Sequence, residues 1–327
     1  MQFPELHRHL GGATHPRILW GFVEKQQSTL AQTWFSRYQS YAQFQVEFNR
    51  PFADLNDYLS VHHLVEALQA EDIEYFTHRA VRGASVFEAV DTLELRFNPY
   101  KRTSATLTEE QRIDDMTRVV NLVSSATKTD FPIQTTLILC MDRGFPVVRN
   151  RAIIELARRH PACVAVDLAG PYQPEGPTLS EWVDLYRYAK EVGLGTTAHM
   201  AESDPTDIHP QLFPYLDRIG HGIQIPLHAP QHLPELARRG ITLEVCPMTY
   251  IRTKTIADVQ ELKPVFDRAK AAGVAIAVCT DNPALHGDSC KIVNEYERLV
   301  RAGVIHFNDI IEIAGAGYQA LFSPSAL

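Results

Sequence analysis

The stretch Phe3-Pro-Glu-Leu-His-Arg-His9 is a short, largely apolar run that ends in two closely spaced histidines. The same arrangement, a short β-branched or apolar run followed by a longer segment of period 3.6, recurs along most of the 327 residues. This alternation is typical of βαβ units on a parallel sheet. We predict eight strands, at Phe3–His9, Thr92–Phe97, Ile133–Cys140, Cys163–Leu168, Gly195–His199, Arg218–His221, Thr242–Cys246 and Ala275–Cys279. Eight such units predict an α/β fold, a closed (β/α)8 TIM barrel.

The segment Thr14–Val90 is too long for one crossover and is predicted to form extra helices inserted after the first strand. Helix starts are marked by Thr108-Glu-Glu-Gln111 and Thr178-Leu-Ser-Glu181, which fit the capping box. Helix ends are marked by Gly240 and Gly273, since glycine adopts the left-handed cap without strain. We find no repeat or flexible linker, so we expect residues 1–327 to form a single domain.

Composition narrows the class of protein. The chain has 31 Lys and Arg against 39 Asp and Glu, a net charge of −8, which argues against nucleic acid as a partner. No apolar run approaches the ~18 residues that cross a bilayer, and the first residues lack a signal sequence, so we expect a cytoplasmic protein without membrane contact. The sequence does not predict an oligomeric state.

The five cysteines, Cys140, Cys163, Cys246, Cys279 and Cys290, are odd in number and lack CxxC spacing, so we interpret them as small buried hydrophobic residues.

Polar side chains follow several of the predicted strands. His7 and His9 are two residues apart on a strand and therefore face the same way. Taken alone, the pair is as readily explained by hydrogen bonding as by metal binding. His199 and Asp281 also end apolar runs, and strand ends meet where the catalytic loops of α/β barrels gather. Three imidazoles and one carboxylate, with room for water, match a catalytic zinc, one ion per chain. Glu202, three residues after His199, is interpreted as a general acid at the same site, in preference to a surface ion pair.

Six segments resemble, in order, the successive signatures of the adenosine deaminase family. They are Glu5-Leu-His7-Arg-His9-Leu-Gly-Gly-Ala13, Val166-Asp-Leu-Ala-Gly170, His199-Met-Ala-Glu202, Arg218-Ile-Gly-His221-Gly222, Leu243-Glu-Val-Cys-Pro247 and Thr280-Asp-Asn-Pro-Ala284. The resemblance spans nearly the whole chain. It implies a zinc-containing (β/α)8 barrel that hydrolytically deaminates a 6-aminopurine nucleoside, with adenosine the leading candidate.

The resemblance also implies roles for individual residues. Zinc would be bound by His7, His9, His199 and Asp281. The attacking hydroxide would be oriented by His221 and Asp281, and Glu202 would protonate purine N1. The substrate would be contacted by His9, Asn282 and Gly170, whose backbone would meet purine N3. For Gly170 a loop position that needs positive φ is an equally good and compatible interpretation.

The chain departs from the family pattern in three places. Asn282 stands where the family commonly has an Asp thought to bind purine N7, and an amide always carries N–H donors. Gly11 stands where many members have an acid that resembles a ribose 5′-hydroxyl acceptor. That absence leaves space for a 5′-enlarged nucleoside, as in relatives that look like aminodeoxyfutalosine deaminases. Cys246-Pro-Met-Thr-Tyr250 differs from the usual CPxSN, which predicts a reshaped loop.

Two rival functions are considered. Another metal-dependent hydrolase of the wider barrel superfamily would share the histidines and Asp281 but would not need Glu202. A catalytically inactive nucleoside-binding module predicts at least one broken ligand, and the sequence retains all of them.

Two further features have alternative explanations. Phe44, Phe48, Phe52 and Tyr58 in the inserted region are interpreted as packing residues in preference to a lid. Arg96 ends a strand and is either structural or part of the pocket.

Overall fold

The computed structural model describes residues 1–25, 28–286 and 291–322. Within them the chain forms nine strands, each parallel to its sheet neighbours. They are β1 (Phe3–His9), β2 (Val90–Phe97), β3 (Gln134–Asp142), β4 (Cys163–Ala169), β5 (Gly195–Thr196), β6 (His199–Met200), β7 (Arg218–His221), β8 (Thr242–Val245) and β9 (Ile276–Val278). All eight predicted strand positions are occupied, and β1 and β7 have the predicted bounds.

The prediction of one continuous strand at Gly195–His199 is wrong. β5 pairs with β4 in a five-stranded sheet, whereas β6 pairs with β7 in a four-stranded sheet. Between them, the Thr197 amide donates to the Val166 carbonyl at 3.0 Å, while the Ala198 carbonyl accepts from Gly220 at 2.8 Å. The chain therefore changes hydrogen-bonding partners here, and this interrupts the regular strand.

The two sheets meet again at the other end of the strand order. Arg8 and Asp281 form a parallel bridge. The His9 amide donates to the Asp281 carbonyl at 3.0 Å, and the Asp281 amide donates to the His7 carbonyl at 2.8 Å. Since β5 and β6 occupy one position between β4 and β7, the strands form the predicted α/β barrel with eight strand positions.

The described residues form fourteen helices, which surround the strands or belong to the insertion after β1. They are α1 (Pro16–Val23), α2 (Thr29–Arg37), α3 (Tyr41–Asn49), α4 (Leu55–Gln69), α5 (Ile73–Glu88), α6 (Glu109–Thr127), α7 (Val147–Arg159), α8 (Leu179–Glu191), α9 (Gln224–His228), α10 (Leu233–Arg239), α11 (Pro247–Arg252), α12 (Lys263–Ala272), α13 (Ile292–Arg301) and α14 (Asp309–Gln319). The predicted insertion after β1 is confirmed as α1 to α5. Both predicted capping boxes are present, at the starts of α6 and α8. Gly240 and Gly273 adopt the left-handed cap after α10 and α12.

The inserted helices have a hydrophobic core of their own. Phe44, Phe48, Phe52 and Tyr58 are each at most 2% exposed and belong to this second cluster, so the packing interpretation is confirmed. The larger cluster packs the barrel strands against the surrounding helices.

Charged side chains fill part of the barrel interior. Arg218 contacts Glu94 at 2.5 Å and Glu244 at 2.7 Å, and Arg96 contacts Glu244 and Asp167 at 3.0 Å each. All five side chains are at most 1% exposed. Buried charges of this kind are tolerated when they are paired. The ion pairs form one network inside the barrel that extends toward the carboxyl ends of the strands.

The cysteines that the structure describes, Cys140, Cys163, Cys246 and Cys279, are buried and free, as predicted. Burial raises the pKa of each of these thiols, so none is an activated nucleophile. Cys290 lies outside the described residues. Within the described ranges, no helix is both long and apolar enough to span a membrane.

Candidate active site

The polar residues predicted at the strand ends meet at the carboxyl edge of the barrel. His7 and His9 lie among the last three residues of strand β1, His199 begins β6, His221 ends β7, and Asp281 follows β9. His221 and Asp281 have φ angles of 67° and 57°. A non-glycine residue in this left-handed region stores roughly 1–3 kcal/mol of strain, and such residues cluster at functional sites.

Imidazole nitrogens converge at this edge. Nε2 of His199 lies 3.1 Å from Nε2 of His7 and 3.0 Å from Nε2 of His9. Oδ1 of Asp281 lies 3.5 Å from Nε2 of His9 and 3.8 Å from Nε2 of His7. His221 offers a further nitrogen within 4.8 Å of His7 and His199. The structure therefore brings the four predicted zinc ligands together and adds His221 beside them.

Two carboxylates orient the imidazole rings of His7 and His199 by contacting the Nδ1 atom of each ring. Oε2 of Glu244 lies 2.6 Å from Nδ1 of His7, and Oδ2 of Asp167 lies 3.0 Å from Nδ1 of His199. Each acid accepts from Nδ1 and so turns Nε2 of its ring toward the centre of the cluster. Arg96 contacts both carboxylates, and although burial opposes its charge, Glu244 and Asp167 raise the pKa of Arg96. Arg96 therefore holds the carboxylates in place, and it also lines the cavity, so both interpretations of this residue apply.

This donor set fits a metal ion. Two imidazole nitrogens that face each other at 3.1 Å need a proton or a metal ion between them, and a metal ion can bind both rings in their neutral form. Tetrahedral zinc with Zn–N bonds of ~2.0–2.1 Å separates its nitrogen ligands by roughly 3.3 Å, close to the spacing here. A set of imidazoles and one carboxylate without cysteine is typical of catalytic zinc.

The electrostatics favour neutral imidazoles at most of these positions. Burial, followed by the charges of Arg96 and His199, lowers the pKa values of His7, His9 and His221. For His199, burial also opposes protonation, but the Asp167 carboxylate outweighs it and raises the pKa. Neutral imidazole is the form that binds metals, while the negative charge around His199 favours a cation at the centre.

Asp281 has two protein donors. Its Oδ2 accepts a hydrogen bond from Thr249 Oγ1 at 2.9 Å, and its Oδ1 accepts one from Asn282 Nδ2 at 2.6 Å. Burial raises the pKa of Asp281, although His199 and Thr249 oppose this. Asn282 therefore uses an amide N–H inside the protein, and its contact with purine N7 stays a prediction.

Glu202 follows β6 and lies beside His221. Its Oε2 is 3.7 Å from Nε2 of His221. Burial, and then the negative charge of Asp281, raise the pKa of Glu202 to about 7. A carboxyl group with this pKa is protonated in a large fraction of molecules at neutral pH, as a general acid requires.

The loop with unusual sequence contacts His221. The hydroxyl of Tyr250 accepts a hydrogen bond from the Cys246 amide at 3.0 Å and lies 3.3 Å from Nδ1 of His221. Thr249 of the same helix contacts Asp281. The two positions that depart from CPxSN, Thr249 and Tyr250, therefore contact two of the site residues directly.

A cavity of about 350 Å³ opens over the cluster. It is lined by His9, His199, Glu202, His221, Asp281 and Asn282 among others. Gly170 lies in its wall with a φ of 84°, and an added Cβ would lie 2.7 Å from Oδ2 of Asp142. The expectation of a positive φ at Gly170 is confirmed, and its backbone contact with purine N3 stays a prediction.

The expectation that Gly11 leaves space for a larger substrate is wrong. A Cβ added to Gly11 would lie only 2.6 Å from Cε1 and Nε2 of His62. The imidazole of His62 therefore fills the volume beside Gly11, and the glycine gives room to a protein side chain.

Three residues that contact the site or line its cavity, Asp167, Glu244 and His62, have no role predicted from the sequence, and Thr249 and Tyr250 are predicted only as part of a reshaped loop. A usable signal existed for Asp167 and Glu244, because each is an acid in the middle of an otherwise apolar strand. Such a residue must find a buried partner. Their partners, His199 and His7, could not be inferred from local sequence.

Comparison with known proteins agrees with this site. The profile of the adenosine deaminase family matches residues 4–326. An adenosine deaminase of Clostridium kluyveri is 24% identical over 326 residues, covering 98% of this chain and 89% of the relative. An adenine deaminase of Cupriavidus necator is 25% identical over 328 residues, covering 98% and 87%.

Solved structures share the fold. An adenine deaminase from Arthrobacter aurescens superposes with a TM-score of 0.79 at 21% identity, covering 98% of this chain and 94% of that one. An amidohydrolase from Burkholderia ambifaria with bound Zn gives 0.77 at 20% identity, covering 99% and 86%. The Arabidopsis N6-mAMP deaminase gives 0.77 at 21% identity, covering 99% and 94%.

The fold and the family together define a hydrolase that acts on a C–N bond of a cyclic amidine and deaminates a 6-aminopurine. The chain belongs to the adenosine deaminase family.

Proposed function

We propose that this protein is a zinc-dependent aminohydrolase that converts adenosine to inosine and ammonia, with residues 1–327 acting as one catalytic domain. One observation carries the proposal: the Glu202 carboxyl group, with a pKa of about 7, lies 3.7 Å from His221 beside the converging histidines. A site that combines a protonated acid with a metal-binding cluster suits attack of water on an amidine carbon.

His7, His9, His199 and Asp281 would hold one zinc ion per chain. When bound, zinc supplies Lewis-acid activation of water near neutral pH. Glu244 and Asp167 support this by fixing the orientations of His7 and His199.

The protein groups perform the proton chemistry. Glu202 donates its proton to purine N1, which makes C6 electrophilic because the electron pair displaced from the C6–N1 bond is accepted as an N–H bond. Asp281 takes the proton of the attacking water and delivers it to the leaving amine, while His221 orients the attacking oxygen by hydrogen bonding. The tetrahedral carbon then collapses with loss of ammonia, and the proton that remains on the C6 oxygen returns to the Glu202 carboxylate, which leaves the C6 carbonyl and regenerates the acid. The positive φ angles of His221 and Asp281 are consistent with side chains fixed for this task.

Charge pairing favours a nucleoside over a nucleotide. Each Lys or Arg among the described residues that line the cavity already has a carboxylate partner: Lys101 with Asp142 (2.6 Å), Arg102 with Glu66 (3.1 Å), Arg143 with Asp207 (3.7 Å), and Arg96 with Asp167 and Glu244 (3.0 Å each). Tight phosphate binding usually relies on uncommitted Arg or Lys donors. The cavity therefore suits an uncharged sugar better than a phosphate.

The test is a substrate panel with the purified zinc-loaded protein. Adenosine, 2′-deoxyadenosine, adenine, AMP, N6-methyl-AMP and a 5′-substituted adenosine such as aminodeoxyfutalosine are compared by the ultraviolet change on loss of the 6-amino group. We expect the highest kcat/KM with adenosine. A higher value with adenine or with a nucleotide would contradict the assignment of substrate. Stoichiometric zinc without turnover of any 6-aminopurine would favour another superfamily hydrolase, and absence of metal binding would favour an inactive nucleoside-binding module.

A further inference from the structure

Asp142 is an acid of the cavity wall that the proposed chemistry does not use. It is the last residue of β3, is 6% exposed, and lines the cavity together with Lys101 and Gly170. Removing a carboxylate from water costs free energy unless other groups replace the lost hydrogen bonds. Cavities that bind small molecules commonly contain a few such fixed polar groups, and these groups orient the ligand.

The position of the Asp142 carboxylate is fixed by its neighbours. Oδ1 of the buried Asn150 accepts from the Asp142 amide at 2.9 Å, and Nδ2 of Asn150 donates to the Asp142 carbonyl at 3.0 Å. In the side chain of Asp142, Oδ1 accepts from the Gly144 amide at 2.8 Å, and Oδ2 lies 2.6 Å from Nζ of Lys101. A carboxylate has about four acceptor sites, so these contacts orient the group and leave acceptor capacity for a ligand.

The carboxylate lies beside Gly170. Asp142 pairs with Ala169 in the register of β3 and β4, and Gly170 is the next residue. A Cβ added to Gly170 would lie 2.7 Å from Oδ2 of Asp142, so the glycine allows the carboxylate to approach the backbone that lines the cavity. The part of a substrate that Asp142 can contact is therefore the part nearest to Gly170.

We propose that Asp142 is a specificity-determining residue whose carboxylate accepts a hydrogen bond from the 2′- or 3′-hydroxyl of the nucleoside sugar. This rests on the proposed function and on the predicted contact between the Gly170 backbone and purine N3. N3 and N9 are both bonded to C4, so the sugar on N9 leaves the purine on the edge that faces Gly170. A nucleoside has no hydrogen on N9, so the donors on this edge are the sugar hydroxyls. Dinucleotide-binding folds also use an acid to accept from a ribose hydroxyl.

The experiment combines substrate analogues with variants of Asp142. kcat/KM is measured for adenosine, 2′-deoxyadenosine and 3′-deoxyadenosine with the wild type, Asp142→Ala and Asp142→Asn. We expect the wild type to disfavour one of the two analogues about 10- to 100-fold, the usual worth of a hydrogen bond to a charged group. Asp142→Ala should lose a similar factor with the substrates that retain the contacted hydroxyl, and little with the analogue that lacks it. Zinc content should stay unchanged.

Two further variants make the result specific. Asp142→Asn keeps the size of the side chain and one acceptor oxygen, so it should discriminate between the substrates less than the wild type and more than Asp142→Ala. Asp204→Ala removes another carboxylate of the cavity wall, one that accepts from the Thr206 amide at 2.7 Å. This control should keep the wild-type ratios among the three substrates.

The outcomes separate this inference from the proposed function. A wild type with equal kcat/KM for adenosine and both analogues would overturn the inference while the proposed function stands, and this result needs no variant. Equal losses for all three substrates in the Asp142 variants would also overturn it, because the carboxylate would then only support the cavity wall. Wild-type protein that deaminates no nucleoside would contradict both.

Discussion

Nδ1 of His199 lies 3.0 Å from Oδ2 of Asp167, a fully buried carboxylate that also pairs with Arg96. Through Arg96 the same network reaches Glu244 and His7. The orientation of two histidines at the centre of the site is thus set by one buried ion network.

Asp167→Asn tests this support. The substitution keeps the shape and an acceptor but removes the charge that holds the Nδ1 proton of His199. We expect zinc affinity to fall about 10- to 100-fold, measured by competition with a chelator. Asp142→Asn is the matched control, because Asp142 lies in the cavity and pairs with Lys101 at 2.6 Å. A control that loses as much zinc affinity as Asp167→Asn would contradict the role of Asp167.

Glu202→Gln removes the acid and keeps its size. We expect kcat to fall about 10²- to 10⁴-fold, the usual contribution of a general acid, with zinc content unchanged. Asp204→Asn, at another carboxylate of the same cavity wall, should retain nearly full activity. Nearly full activity of Glu202→Gln would show that N1 is protonated by another group.

The pH profile provides a separate test of Glu202. Its pKa is raised to about 7, and the protonated form is the active one. kcat/KM should therefore be highest below this pH and fall as the pH rises through about 7, approaching a tenfold fall per pH unit. A kcat/KM that rises from pH 7 to higher pH would contradict the assignment of Glu202 as an acid.

The variant Asn282→Asp tests the role of Asn282, which lies next to Asp281 and stands where the family commonly has an Asp. The amide nitrogen now lies 2.6 Å from Oδ1 of Asp281, so the variant would place two carboxyl groups together. An acid at this position donates a hydrogen bond only when protonated, so we expect zinc and much of the activity to be retained but KM to rise with pH. The measurement is KM between acidic and alkaline pH. A flat profile like that of the wild type would count against a contact between residue 282 and purine N7.

The buried carboxyl group of Glu295 is expected to make the stability of the protein depend on pH. This fully buried side chain of α13 accepts a hydrogen bond from the Met248 amide at 3.2 Å, and burial raises its pKa from 4.5 to about 8. Between these values the folded state keeps a proton that the unfolded state has released. Stability therefore falls as pH rises, by about 1.4 kcal/mol per pH unit from this group alone.

Glu295→Gln should remove this slope and raise the free energy of unfolding near pH 8, as measured by urea denaturation at several pH values. Glu297→Gln, an exposed position of the same helix, should keep the wild-type slope. Parallel slopes for the wild type and Glu295→Gln would show that Glu295 is ionised in the folded protein.

Local sequence determined much of the fold. The bounds of β1 and β7 and both capping boxes depend on residues close to one another in the chain, and they were predicted. The interruption after Thr196 depends on which distant strands supply hydrogen bonds, Val166 on one side and Gly220 on the other. An apolar run does not contain this information.

In the candidate site, too, features that depend on neighbouring residues could be predicted, and contacts between distant residues could not. His7, His9, His199, Glu202, His221 and Asp281 could be predicted because each lies at or shortly after the end of an apolar run, and the barrel brings such positions to one edge. Glu244 is 237 positions from its partner His7, and His62 reaches the site from an inserted helix. Contacts of this range follow from the packing of whole elements, so the sequence alone did not indicate them.

The most direct test of the account is adenosine turnover before and after zinc removal. The ultraviolet spectrum of adenosine is followed with the zinc-loaded protein, with the chelator-treated protein, and after zinc is returned. We predict conversion to the inosine spectrum, loss of turnover on chelation, and recovery with about one zinc ion per chain. Equal turnover by the metal-free protein, or an unchanged adenosine spectrum with zinc bound, would contradict the account.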